Sequence, residues 1–132
     1  MSHSEETKTR ANELSKEVIG AAIEVHRQLG PGLLESAYEA CLRRELSLRG
    51  IPFACQVPVP VTYKGVQIDC SYRLDLLVGG LVVLELKSVD RLEPIHAAQL
   101  LTYLRLTDLW LGLLINFNVV VLKNGIKRIV YG

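Results

Sequence analysis

The pattern of apolar positions predicts two helices at the start of the chain. From Asn12 onward, apolar residues recur at steps of three and four, which is the period of one helix face. These positions are Leu14, Val18, Ala22, Val25 and Leu29. "GPG" at 30–32 ends this helix, with Gly30 suited to the C-terminal cap. A second helix is predicted from about Leu33 to Arg49, and Gly50 ends it.

The pattern then changes to that of β-strands. The segment "VPVPVTYKGVQIDCSYRLDLLV" is rich in β-branched residues, and "YKGV" within it predicts a turn between two strands. Pro58 and Pro60 indicate that the first of these is an edge strand, because proline cannot donate to a sheet ladder. A third strand is predicted from about Leu81 to Ser88.

The remaining sequence predicts one more helix and two further β segments. "EPIHAAQLLTYLRLTD" is a helix with Pro94 near its first turn. "LWLGLLINF" is typical of a buried strand, and "VVVLKNGIKRIVY" predicts a final hairpin around Asn124-Gly125. The order ααβββαβ with a terminal β piece predicts an α/β domain with a mixed sheet flanked by helices. Residues 1–10 are expected to form a flexible arm, and 11–132 a single domain.

Composition narrows the class of protein. A chain of 132 residues with 49% hydrophobic and 22% charged residues is expected to fold as one globular domain. The formal net charge of +1 provides no argument for a nucleic-acid partner. Three cysteines, an odd number without a C-x-x-C pair, favour a reduced intracellular compartment. Because no signal peptide or membrane-length apolar segment is present, we expect a cytoplasmic protein without a membrane partner.

One segment, "RLDLLVGGLVVLELK" from Arg73 to Lys87, places charged residues inside two apolar runs. The first run contains Asp75, and the second contains Glu85 and Lys87. An unpaired buried charge costs on the order of several kcal/mol, so these positions need an explanation. Since side chains alternate along a strand, Glu85 and Lys87 share one face.

Whether Asp75 joins them depends on the number of residues in the loop. A two-residue loop at Gly79-Gly80 would pair Asp75 with Leu84 and put the two acids on opposite faces. A three-residue loop would make Asp75 the partner of Glu85, and such loops with left-handed glycine are common. The residues alone leave both registers open.

Two interpretations of the charged cluster follow. If the acids converge, their repulsion is relieved by a hard divalent cation such as magnesium, which lowers the pKa of water and so promotes attack on a phosphodiester. Lys87 would then orient the nucleophile or stabilise developing charge. The alternative is a buried salt bridge between Lys87 and the acids, since structural ion pairs are common.

The arrangement of Asp75 and Glu85-Leu86-Lys87 around a short turn resembles the PD-(D/E)xK nuclease superfamily, although Leu74 replaces the proline of its name. "GLLESAY", Gly32 to Tyr38, matches the G-x-x-E-x-x-Y motif of a family of small bacterial proteins. The similarity runs from about residue 14 to the C-terminus. It includes "GAAIEVHRQLGPGLLESAYEACL", "YKGVQIDCSYRLDLLV", "HAAQLLTYLRL" and "LGLLINFNVVVLKNGIKRIV".

The resemblance implies a restriction-endonuclease-like core with a metal site. Asp75 and Glu85 correspond to the acids that bind Mg2+ or Mn2+, with the Leu86 carbonyl as a further ligand. Lys87 corresponds to the catalytic lysine. Glu35 corresponds to an additional metal or water ligand, although its position in a first helical turn already suits a carboxylate through the helix dipole.

The resemblance also extends to the helix after the lysine. Gln99 and Tyr103 match a Q-x-x-x-Y element and lie on one helix face. Gln99 is expected to contact a substrate phosphate or a neighbouring strand, and Tyr103 to contact the substrate or pack in the core. Tyr38 is expected in the core, and His26 and His96 are expected to have structural roles.

Three functional hypotheses result. The first is a metal-dependent nuclease acting on phosphodiester bonds, with DNA as the expected partner. The second is a catalytically silent nuclease fold that serves as a nucleic-acid-binding or regulatory module. The third is a structural module in which the charged residues form a salt-bridge network. The sequence leaves open DNA or RNA specificity, endo- or exonuclease action and the oligomeric state, a homodimer included.

Overall fold

The computed structural model describes residues 3–132 and begins with two helices, α1 (Glu5–Leu29) and α2 (Glu35–Leu48). The Ser4 side chain caps α1 by accepting a hydrogen bond from a backbone N–H of its first turn. Gly30 ends α1 at a φ of +71°, and its N–H donates to a carbonyl of the last turn at 2.7 Å. No helix between residues 3 and 132 has both the length and the apolar character to cross a membrane.

The predicted start of the first helix is corrected. α1 begins at Glu5 rather than Asn12, so most of the arm predicted for residues 1–10 consists of helical turns. The Ser4 cap and the acidic residues of the first turn explain the earlier start, because both stabilise the unpaired N–H groups there. The first two residues of the predicted arm lie outside the described part of the chain.

Seven strands, a third helix and a short 3-10 turn follow in the described chain. Their bounds are β1 (Phe53–Pro58), β2 (Val61–Tyr63), β3 (Val66–Ile68), β4 (Arg73–Val78), β5 (Val82–Lys87), α3 (Pro94–Thr107), β6 (Leu111–Asn116), the 3-10 turn (Leu122–Gly125) and β7 (Ile126–Val130). One sheet has the order β1-β4-β5-β6-β7, and β2 pairs only with β3. Within the larger sheet β5 and β6 are parallel and the other pairs are antiparallel.

The five-stranded sheet has helices on both faces. Leu84 and Leu86 of β5 pack into a core cluster with residues of α1 and α2. Val83 packs into a second cluster with residues of α3. Because side chains alternate, Glu85 and Lys87 share the α3 face of β5. The predicted mixed α/β fold flanked by helices is confirmed.

The segment around the "YKGV" turn forms β-strands as predicted, but it is divided into more strands than the sequence predicts. The turn in "YKGV" is confirmed, with positive φ at Lys64 and Gly65. The predicted edge strand is β1, which ends at Pro58. The strands on either side of the turn, however, form the separate β2–β3 hairpin. The strand predicted before Gly79-Gly80, which contains Asp75, is β4, and it returns beside β1.

The hairpin predicted around Asn124-Gly125 is wrong. Residues 119–121 are not a strand, and β7 pairs with β6 instead. Leu122, the first residue of the 3-10 turn, is buried in the core. A Cβ at Gly125 would collide with the carbonyl oxygen of Asn116. Leu122 therefore anchors this segment in the core, while Val120 and Val121 stay exposed, and the chain returns to pair with β6.

Candidate active site

The loop between β4 and β5 has three residues, Gly79 to Leu81. Both glycines have positive φ, of 58° and 69°, which other residues adopt at a cost. The register pairs Val78 with Val82 and Leu76 with Leu84. The next rung of this register places Asp75 opposite Glu85. The odd loop that a metal site requires is therefore present.

Asp75 lies where the β4–β5 ladder ends. The last backbone pair is Leu76 with Leu84, so the Leu86 backbone has no strand partner on the β4 side. The Leu86 N–H donates instead to Oδ2 of Asp75 at 2.8 Å. In a strand the N–H and C=O of one residue point to the same neighbour, which puts the Leu86 carbonyl on this side as well. The structure thus brings Asp75 and the Leu86 backbone together.

Glu85 is a buried acid beside a second acid. It is 5% exposed, and its Oε1 has no hydrogen-bond partner within residues 3–132. Burial raises the pKa of Glu85 to about 9, and the charge of Asp75 and a hydrogen bond with its side chain add to the rise. The Asp75 backbone and the Lys87 ammonium lower this pKa by smaller amounts. At neutral pH such a carboxyl holds its proton unless another positive charge lies near it.

Lys87 follows Glu85 on the same face and is half-buried. The charge of Lys87 lowers the pKa of Glu85, although by less than burial and Asp75 raise it. Yet Lys87 forms no ion pair with Asp75 or Glu85, or with any other acid in the described chain. The described residues therefore do not contain the salt-bridge network of the alternative interpretation.

The helix α3 covers the acids with Tyr103. This residue is 8% exposed. Burial raises the pKa of Tyr103, and Glu85, Tyr72 and Asp75 raise it further, which puts the phenol in the electrostatic field of both acids. Gln99 lies one turn earlier on the same helix, is exposed, and has no hydrogen-bond partner within residues 3–132. The expected contact of Gln99 with a neighbouring strand is therefore not observed.

Glu35 is the exposed first residue of α2. A hydrogen bond from the Ser88 hydroxyl to the Leu33 carbonyl, at 2.5 Å, ties the start of this helix to the residue after Lys87. Nevertheless, among residues 3–132 no three His, Cys, Asp or Glu side chains are grouped closely enough to hold a metal ion. The structure brings Asp75 and Glu85 together but does not include Glu35 with them, so the predicted ligand set is incomplete.

Residues 12–129 match the family model of the PD-(D/E)XK nuclease superfamily. The chain belongs to this superfamily. The match contains both acids, the lysine and all five strands of the larger sheet except the last residue of β7. No curated protein and no solved structure gives a significant match to the sequence. The mixed sheet between helices is accordingly a restriction-endonuclease-like fold.

The donor atoms of this PD-(D/E)XK site fit a magnesium-type ion. Mg2+ is commonly held by one or two carboxylates, with waters and substrate phosphates completing its shell. Asp75 and Glu85 supply two carboxylates, and the unpartnered Oε1 of Glu85 is a free buried acceptor. The Leu86 carbonyl is a third oxygen at the same sheet position. The set suits a partly hydrated ion better than one enclosed by protein.

Asn116 is a buried amide beside Lys87 that the sequence analysis did not single out. It is the register partner of Lys87 and is 1% exposed. Its Oδ1 accepts from the Val89 N–H at 3.1 Å and its Nδ2 donates to the Val89 carbonyl at 3.0 Å. These two bonds hold the backbone that follows Lys87. The available signal was one amide at the end of an apolar strand, where a buried polar side chain needs partners.

The remaining polar candidates are structural, as predicted. Tyr38 is fully buried, and its hydroxyl donates to the Gly30 carbonyl at 2.6 Å. His26 bonds the Val119 carbonyl at 2.7 Å. The His96 ring accepts the Glu93 N–H at 2.9 Å within a capping box at the start of α3. None of these residues contacts the two acids.

Proposed function

We propose that this PD-(D/E)XK protein is a metal-dependent nuclease that hydrolyses phosphodiester bonds, with DNA as its substrate. The observation that carries the proposal is the buried juxtaposition of Asp75 and Glu85, in which Glu85 Oε1 has no partner within residues 3–132. Two neighbouring carboxyls that form no ion pair among residues 3–132 are unfavourable in a structural role. They are well suited to holding a dication.

In this proposal Asp75 and Glu85 bind Mg2+ or Mn2+, with the Leu86 carbonyl as a further ligand. When bound, the ion neutralises charge on phosphate oxygens and lowers the pKa of water. Glu85 has to release its proton before both acids can act as ligands. Glu35, at the start of α2, acts through a water molecule rather than directly, since it is not grouped with the other acids.

Lys87 positions the attacking water or stabilises charge on the phosphate. An ammonium that lacks an acidic partner in the described chain is available for this work. Gln99 is exposed on the same helix as Tyr103 and donates to a substrate phosphate. Tyr103 closes the site above the acids. The match of residues 32–38 to the G-x-x-E-x-x-Y motif supports membership in the family of small bacterial proteins that carries it. Glu35 is the acid of this motif.

The experiment compares cleavage of plasmid and single-stranded DNA with magnesium, with manganese and with EDTA. Asp75→Asn removes one charge but keeps an acceptor for the Leu86 N–H, and Lys87→Met keeps the length of the lysine stem. Each variant should lose at least about 100-fold in rate, the usual loss when a group that stabilises transition-state charge is removed. Persistent cleavage by Asp75→Asn, or cleavage in EDTA, would contradict the proposal.

Matched controls are Glu17→Gln and Lys16→Met, both exposed on α1. They remove the same charges away from the acids and should keep the wild-type rate. If the control variants lose as much activity as Asp75→Asn and Lys87→Met, the losses arise from the change in net charge and not from the site.

The second candidate, a silent nucleic-acid-binding module, is favoured by two observations. Glu85 has a pKa of about 9, and no third acid is grouped with the pair among residues 3–132. A silent module should bind DNA without cleaving it and should bind no manganese at neutral pH. Calorimetric titration of manganese distinguishes the two candidates, because only the nuclease requires a bound ion.

A further inference from the structure

A groove of about 560 Å³ lies next to the candidate site. It is lined by residues 58–60, where β1 ends, and by residues 67–73, which run from within β3 to the start of β4. The groove thus separates the β2–β3 hairpin from the main sheet. None of the residues assigned to metal binding or catalysis lines it.

Tyr72 connects this groove to the acids. Its side chain is 48% exposed and lines the groove, while its ring lies 6.1 Å from the Tyr103 ring at an angle of 50°. The Tyr72 carbonyl accepts the Val59 N–H at 2.8 Å, which holds this segment against the opposite wall. Tyr103 in turn lies in the field of Glu85 and Asp75. Arg73 also lines the groove and lies two residues before Asp75 on β4, so the groove adjoins the strand that carries Asp75.

The charges of the groove are balanced. Arg73 is exposed and donates to the Gln56 carbonyl at 3.3 Å, and Asp69 provides an opposite charge in the same lining. A groove that binds the phosphate backbone needs an excess of positive charge, and this lining has none. The half-exposed Tyr72 ring instead suits the flat face of a base, since every base can stack on an aromatic side chain.

We propose that the groove binds an unpaired segment of single-stranded nucleic acid, with one base stacked on Tyr72. The proposal rests on the proposed function for the identity of its ligand and specifies the substrate as single-stranded next to the cut. Tyr72 holds the base, and the adjoining phosphate lies towards Tyr103 and the acids. A base paired in a duplex has no free face for such stacking.

The test measures binding in EDTA, so that no cleavage is needed. Two fluorescent oligodeoxynucleotides of about 12 nucleotides, within the range of single-strand binding sites, carry the same phosphates. One has normal bases and the other has abasic sites throughout. Wild-type protein should bind the normal strand at least about 10-fold more tightly, because stacking contributes roughly that much per base.

Tyr72→Leu should reduce this preference about 10-fold, and Tyr72→Phe should keep it, because the ring face is retained. Because stacking involves no phosphate neutralisation, the loss should be the same at low and high salt. The matched control is Tyr63→Leu, which removes a 63% exposed tyrosine outside the groove lining. It should keep the wild-type preference. Thermal melting establishes that each variant is folded.

The proposal is overturned if wild-type protein does not distinguish the two strands, which is also the result expected of a groove for a peptide. It is overturned as well if Tyr72→Leu keeps the preference, or if Tyr63→Leu loses it equally. Failure of the nuclease proposal is recognised separately. A protein that never cleaves DNA, but whose base preference depends on Tyr72, retains the groove as a binding site without the chemistry.

Discussion

The two faces of the central sheet differ sharply, although the same strands form both. Towards α1 and α2, β5 presents Leu84 and Leu86, which pack in a mainly apolar layer. Towards α3 it presents Val83 and then Glu85 and Lys87, near the end of the ladder with β4. One face therefore supplies stability, and the other gives up apolar burial at its end to hold polar groups. We therefore expect substitutions at neighbouring positions of one strand to have different effects: those on the apolar face should lower stability, and those on the α3 face should affect the acid site.

The largest effect is expected on the apolar face. Leu84→Ala should lower the free energy of unfolding by about 2–5 kcal/mol, since it leaves a cavity in a fully buried position. Urea denaturation followed by circular dichroism measures the change. Leu101→Ala, at an exposed leucine of α3, is the control and should change stability little. Equal losses in the two variants would mean that the α1–α2 face is not the principal core.

A smaller loss is expected at Asn116, which is on the strand next to Lys87. Asn116→Ala leaves the Val89 N–H and carbonyl without their partners and should cost about 1–3 kcal/mol of unfolding free energy. It should also reduce kcat of cleavage more than it raises KM, because the backbone after Lys87 loosens. Asn124→Ala, exposed in the 3-10 turn, is the control. An unchanged kcat in folded Asn116→Ala would show that Asn116 is only structural.

The pH dependence of stability tests the acid pair directly. The pKa of Glu85 is about 9 in the folded protein and near 4.5 when unfolded, so the folded state binds more protons between these values. Its contribution to stability is complete below about pH 4.5 and is lost as the pH rises through about 9. The slope is at most about 1.4 kcal/mol per pH unit. Other groups titrate too, so the difference from Glu85→Gln isolates this one.

Glu85→Gln should thus gain stability relative to wild type as the pH rises from 5 to 9. Urea titrations at several pH values give the comparison, with Glu17→Gln as the exposed control. A constant difference between wild type and Glu85→Gln would mean that Glu85 ionises normally in the fold.

The smallest effect is expected from the ion itself. Manganese at about ten times its Kd should stabilise the wild type by about 1.4 kcal/mol. The gain should increase towards alkaline pH, because the ion displaces the Glu85 proton. Thermal melting with and without manganese provides the measurement, and Asp75→Asn should show little gain. Stabilisation of Asp75→Asn equal to that of wild type would place the ion elsewhere.

Local patterns were sufficient for the helices and for most of the larger sheet. The apolar period, Gly30 and Pro94 are all contained within a few residues, and the corresponding elements form as predicted except that α1 begins earlier, at Glu5. The pairing of Asp75 with Glu85 was reduced to one question about loop length. The sequence could not answer it, because glycine accepts the φ values of several loop types.

Predictions that depended on distant contacts were less successful. "VVVL" at 119–122 has the composition of a strand, yet Leu122 is drawn into the core and only β7 pairs with β6. The β2–β3 hairpin has the right turn but no place in the main sheet, because β4 occupies the position beside β1. At 119–122 a contact with the core outweighed the local β-strand preference, whereas β2 and β3 kept their strand structure and lost only the place beside β1.

By itself, the sequence determined the helices, the mixed sheet and the acids and lysine of the candidate site, since these follow from periodicity and from residue type. Only the tertiary structure decided how those groups are disposed. It joined the two acids through a three-residue loop, left Glu35 outside their group among residues 3–132, and set Asn116 behind Lys87. It also raised the pKa of Glu85, because burial and the nearness of Asp75 arise only when the strands pair and α3 covers them.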